Sequence, residues 1–108
     1  MLRQALLNLL RNAAEAIPDD QIDRTVIVEI AAEQDREKQW VLISIRDTGP
    51  GIPASDLQKI FIPFFTTKSK GHGVGLALAH RVITQHGGTL IVANSSQGGA
   101  IFTIRLPQ

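Results

Sequence analysis

Asn8 and Asn12 stand four residues apart inside LLNLLRNAAEAI, and Glu15 follows three further on. On a helix that spacing puts the three polar groups on one face, a turn apart. Two asparagines beside a leucine stripe are either a solvated face or a pair of neutral oxygen donors. Oxygen donors suit a hard cation such as magnesium, which shares its ligands with phosphates. Asp47 closes an apolar run directly before Thr48-Gly49-Pro50-Gly51-Ile52. An aspartate there either braces a tight turn or, at the mouth of an apolar pocket, accepts a hydrogen bond from an exocyclic amine. Adenine offers such an amine, whereas guanine presents an acceptor at that place. A site built around that bond discriminates by a factor on the order of 10⁴. Gly49 and Gly51 would let the backbone come close to a base. Gly71, Gly73 and Gly75 occupy alternate positions where a helical pattern opens. Unpaired amides at a helix start attract phosphate, although glycines so placed equally mark a flexible turn.

The triplet belongs to neither common nucleotide motif. No Gly-Lys-Ser/Thr follows it, as a Walker loop requires, and Leu78 stands where the third glycine of the dinucleotide fingerprint would fall. Lys68 and Lys70 add positive charge beside it, as solvated loop lysines also do. His72, His80 and His86 share no metal-ligand spacing, and none sits in a His-Glu or His-Asp pair. Phe61, Phe64 and Phe65 read as packing that anchors the base of this loop.

The elements that must position these groups follow from periodicity. Leu2, Leu6, Leu9, Leu10, Ala13 and Ile17 recur at helical spacing until Pro18, Asp19 and Asp20 stop the pattern. TVIVEIA reads as a strand, EQDREK as a charged connection, and QWVLISIRD as a second strand paired to the first. DTGPGIP is a sharp loop, after which Ser55 is placed to cap a short helix over DLQKIF. Residues 74–86 form a second helix ended by Gly87-Gly88. TLIVANS and AIFTIRL are the last strands, joined at QGG. The pattern predicts an α+β fold with helices over one face of a mixed, mostly antiparallel sheet.

Composition narrows the function classes. At 108 residues the chain has room for one core, and 44% hydrophobic with 19% charged residues is an ordinary globular balance. A formal charge of +1 gives no electrostatic case for nucleic acid or an acidic membrane surface. The absence of cysteine removes disulfides, thiolate metal sites and cysteine nucleophiles. No apolar run reaches the eighteen residues of a membrane-spanning helix. The first residues are a helix interrupted by Asn8, Arg11, Asn12 and Glu15 rather than a signal peptide. The expected setting is cytoplasmic, without direct membrane contact.

Four segments, in this order and spacing, resemble the ATP-binding catalytic domain of bacterial two-component sensor histidine kinases, in the GHKL superfamily. LLNLLRNAAEAI is similar to that family's asparagine box and DTGPGI to its first glycine box. FIPFF is similar to its phenylalanine box and GHGVGLALA to its second glycine box. Each motif is weak alone; four in sequence across residues 2–107 are specific. The short stretch between Phe65 and Gly73 resembles the short-lid subgroup that includes nitrogen-regulatory sensor kinases. The resemblance implies a Bergerat-type α/β sandwich holding Mg-ATP between helices and sheet. In it Asn12 would be the magnesium ligand, with Asn8 supporting metal or phosphate contacts. Asp47 would read the adenine amine, and the amides of Gly73, Val74, Gly75 and Leu76 would hold the phosphates. Glu15, Gly49, Gly51, Ile52, Thr67, Lys68, Gly71 and His72 complete the implied ATP site. The phospho-acceptor would be a histidine on a separate dimerisation domain of the parent kinase, which then serves a response regulator. The isolated domain is expected to be a monomer.

Two departures from the family pattern stand out. Members often carry a hydroxyl residue in the last strand that joins the aspartate's water network, and Ile101 is aligned with that place. The strand that usually precedes the asparagine-box helix is missing, so residues 1–108 are expected to be a piece of a longer protein. Hydrolytic and serine-phosphorylating members of the superfamily carry glutamate at the position of Asn8. A carboxylate there can serve as general base, and an amide cannot. That difference favours histidine phosphorylation over a stand-alone ATPase, while intact Asn12, Asp47 and the glycine triplet argue against the other rival, a non-catalytic nucleotide-sensing or scaffold module.

Overall fold

The leucine stripe of the first segment forms helix α1 (Leu2–Glu15), which buries Ala5, Leu9 and Ala13 and sets Leu2, Leu6 and Leu10 along the margin of the core. The computed structural model describes residues 2–57, 59–60 and 73–108. Strands β1 (Val26–Asp35) and β2 (Lys38–Asp47) form a hairpin, helix α2 (Gly73–Gln85) follows, and β3 (Thr89–Asn94) and β4 (Ala100–Pro107) end the chain. The strand order is β1-β2-β4-β3 with every neighbouring pair antiparallel. The parallel pair of a mixed sheet is therefore not found among the described strands.

Both helices lie on one face of the sheet. Ile45 sits opposite Phe102, and Ile104 sits opposite Leu90, so alternation turns these side chains the same way. Ala79, Val82 and Ile83 of α2 and Leu9 of α1 close over them, all within 5% of full burial. Each of the larger side chains, Leu9, Val82 and Ile83, contributes roughly 1.5–3 kcal/mol by leaving water, which is what holds the layers together. Among the described residues no helix is long and apolar enough to cross a membrane.

Local structure departs from expectation at two connections. The charged segment EQDREK is mostly strand: only Arg36 and Glu37 lie between the strands, with Arg36 in the left-handed region at φ 58°. Strand pairing needs backbone partners rather than apolar side chains, so Glu33, Gln34 and Asp35 continue the ladder although their side chains are exposed. After β2, where a helix over DLQKIF is expected, the described residues form a single 3-10 turn over Ala54–Asp56, with Leu57, Lys59 and Ile60 in turns and Gln58 and Phe61 outside the described residues. Its flanking residue is Pro53, no side chain caps it, and Ser55 lies inside it. At the end of α2, Gly87 takes φ 79° and terminates the helix as the sequence indicates.

Candidate functional site

Asp47 is the last residue of β2 and is 1% exposed, on the same face as Ile45 and beneath the helices. Burying a carboxylate is costly unless its oxygens find donors. Oδ1 accepts the Gly49 N–H at 2.8 Å and lies 3.4 Å from the donating Ala100 N–H. No hydrogen bond reaches Oδ2 among the described residues. Oδ1 thus takes the first of the two roles open to this aspartate in the sequence, bracing the turn. The β3–β4 turn presses on the same residue. A Cβ at Gly99, which has φ 80°, would lie 1.9 Å from the Asp47 carbonyl oxygen, so only glycine allows that approach.

The loop after Asp47 is tied down on both flanks. Thr48 Oγ1 accepts the Thr25 N–H at 2.9 Å and donates to the Asp23 carbonyl at 2.8 Å, while Gln21 Nε2 donates to the Thr48 carbonyl. On the other side, Asn94 reaches from the end of β3 and grips Ile52 twice. Its Oδ1 accepts the Ile52 N–H at 2.8 Å and its Nδ2 donates to the Ile52 carbonyl at 2.7 Å. Gly51 takes φ 87° directly against this amide. Gly49 packs on the Ala16 carbonyl just past α1. A side chain at either glycine would meet protein, the Ala16 carbonyl at Gly49 and the Asn94 amide at Gly51.

Asn8 and Asn12 are half-buried, one turn apart on α1, and Glu15 is exposed beyond them. Ile52 and Leu76 pack against the core cluster rather than standing apart from it. Helix α2 opens at Gly73, so the amides of Gly73, Val74, Gly75 and Leu76 are the first four, which have no acceptor within a helix. Thr67, Lys68, Lys70, Gly71 and His72 lie outside the described residues, as do Phe61, Phe64 and Phe65. His86 closes the end of α2, with Nδ1 2.8 Å from the Val82 carbonyl. Among the described residues no group of three or more acidic, histidine or cysteine side chains is arranged to hold a metal by itself.

Register corrects one expectation. Ile101 sits opposite Arg46 and so turns to the face away from the helices, while Ala100 is the buried residue whose N–H meets the Asp47 carboxylate. The residue next to the aspartate therefore offers a backbone donor and no side-chain hydroxyl. Asn94, Thr48 and Gln21 escape a reading by sequence. Asparagine, threonine and glutamine near turns are ordinary solvated residues unless the partner strand is known. The signal available was the Gly98-Gly99 pair, which marks a tight turn beside β4.

This antiparallel sheet, with two helices packed on one face, is the architecture of histidine kinase catalytic domains. The chain belongs to the histidine kinase-, DNA gyrase B- and HSP90-like ATPase family, whose model matches residues 1–108. It is 44% identical over 106 residues to the sensor histidine kinase ZraS of Escherichia coli O157:H7, covering 98% of this chain and 22% of that protein. The mycobacterial sensor histidine kinase MprB superposes with a TM-score of 0.75 at 32% identity, over 96% of this chain and 68% of that one. Full-length ShkA, solved in complex with AMPPNP, matches at 31% identity and a TM-score of 0.72, over 98% of this chain and 21% of that one. The chain spans about one-fifth of the length of ZraS.

Proposed function

We propose that this chain binds Mg-ATP and presents its γ-phosphate to a histidine on a separate dimerisation domain, from which a response regulator is served. The observation that carries the reading is the buried Asp47 carboxylate, with Oδ1 braced by Gly49 and Ala100 and no hydrogen bond from the described residues at Oδ2. An exocyclic amine is a donor suited to that oxygen, whereas the keto oxygen of guanine is repelled by it. The AMPPNP bound in ShkA supports an adenine nucleotide as the ligand.

Phosphoryl transfer depends on placing the phosphates and neutralising their charge, with little covalent work left to the protein. The first four amides of α2 serve the phosphates through direct N–H donation and the helix dipole. Magnesium, when bound, neutralises charge across the phosphates. Asn12 offers it one neutral oxygen with Asn8 in support, a donor set that suits an ion sharing its coordination with nucleotide rather than a protein-only cage. Asn8 cannot take a proton from water, so hydrolysis is slow, and an imidazole nucleophile brought by the partner needs no such base. The setting is cytoplasmic, and the domain alone is a monomer.

The test is labelling from γ-labelled ATP. The chain alone should bind ATP without labelling itself, and an added dimerisation domain with an accessible histidine should become labelled. Asn12→Asp or Asn12→Ala should abolish magnesium-dependent binding while the thermal midpoint without nucleotide stays put. Binding of ATP without transfer to any histidine partner would replace this reading with the nucleotide-sensing module. Equal affinity for ATP and GTP would remove the role of Asp47.

A further inference from the structure

Asn94 is exposed, yet both polar atoms of its side chain are spent on one backbone unit forty-two residues away. Water could satisfy an exposed amide equally well, so the two bonds add little to global stability. Their effect is local. Between the brace at Gly49 and the grip at Ile52 lie only Pro50 and Gly51. Gly51 is held at φ 87°, a conformation glycine leaves readily because both signs of φ are open to it. What stands against that change is the Asn94 carboxamide, which holds the next residue, Ile52, through its N–H and its carbonyl. The same β3–β4 turn packs on the backbone of Asp47. One turn therefore fixes both ends of the segment that carries the carboxylate.

We infer that Asn94 is a positioning residue for nucleotide selection: by clamping Ile52 it holds the 49–52 loop in the form that keeps the Asp47 carboxylate directed at the base. The inference rests on the reading of Asp47 as the adenine acceptor. Asparagine suits the task because it must donate and accept at once. Aspartate at this place would keep the bond from the Ile52 N–H but turn an anion toward the Ile52 carbonyl.

Calorimetric titration of the chain with Mg-ATP and Mg-GTP, for the unaltered protein, Asn94→Ala, Asn94→Asp and Asp47→Asn, tests this. Loss of both bonds in Asn94→Ala should weaken ATP binding about 10-fold and GTP binding much less, so that the ratio of affinities shrinks. Amide exchange at Ile52 should quicken while Ile45 and Phe102 stay protected. Asn94→Asp should fall between, and it carries the test if Asn94→Ala does not fold. Unchanged ATP affinity in both variants, or equal losses for ATP and GTP, would overturn the proposal, even if exchange at Ile52 quickens. If Asp47→Asn narrows the ratio and the Asn94 variants do not, the positioning role alone fails. If Asp47→Asn leaves discrimination intact, the base reading fails and this proposal goes with it.

Discussion

The β1–β2 ladder runs from Val26 opposite Asp47 to Asp35 opposite Lys38, and its two ends are held by different means. At the Asp47 end, backbone meets backbone: a carboxylate takes main-chain donors, a glycine lies on a carbonyl, and helices exclude water. At the hairpin end none of the described helices covers the strands. Ile30, on the helix-facing side by register, is 72% exposed. Long side chains do the holding there. The Arg105 guanidinium stacks on Trp40 at 3.8 Å, bonds Glu33 at 3.0 Å and lies 3.6 Å from Asp35, with the Lys38 ammonium 5.5 Å from the same ring. Close backbone packing tolerates no added atom, whereas side chains stacked in solvent adapt. Precision is concentrated at the candidate site, and the far end is loosely specified.

The sharpest way to break this contrast is Gly99→Ala. The new methyl group meets the Asp47 backbone and φ 80° disfavours it, so a loss of about 3 kcal/mol or more is expected. In a chain of this size that lowers the thermal midpoint by about 15 °C. A change under a few degrees would show that the site end is as pliable as the hairpin. Arg105→Ala removes the stack and both ion pairs in partly exposed surroundings, and should cost only about 1 kcal/mol. Part of that cost should vanish in 1 M salt, as denaturant titration at two ionic strengths would reveal. The smallest effect has the opposite sign. Arg36→Gly relieves a left-handed non-glycine residue and should raise stability by about 0.5 kcal/mol after glycine's own entropic cost.

The same contrast explains what could be read from sequence. Helix α1 and the core faces of β2 and β4 were legible because burial writes its period into residue type, as at Leu9, Ile45, Phe102 and Ile104. Asp47 was legible for its position between an apolar strand and a glycine loop. The length of β1 was not, because Glu33 to Asp35 pair through their backbones and carry no apolar signature. The short helix over DLQKIF failed for a local reason: a single 3-10 turn follows Pro53, and Ser55 falls inside it where it caps nothing. Asn94 and the Ala100–Asp47 contact depend on which strand lies beside which, and a single residue string does not state that order.

Trp40 is the only tryptophan in the chain, and there is no tyrosine. Its indole N–H is buried without an acceptor among the described residues, with a guanidinium lying over the ring. The protein's intrinsic ultraviolet emission therefore issues from a single point on the hairpin, seven residues and about 23 Å of extended strand from Asp47. Emission follows the release of Arg105 from the ring and is dark to events at the carboxylate. A fluorescence melting curve reads the looser end of the ladder, while circular dichroism reads the helices. Superposition of the two curves measures how far cooperativity reaches along one pair of strands.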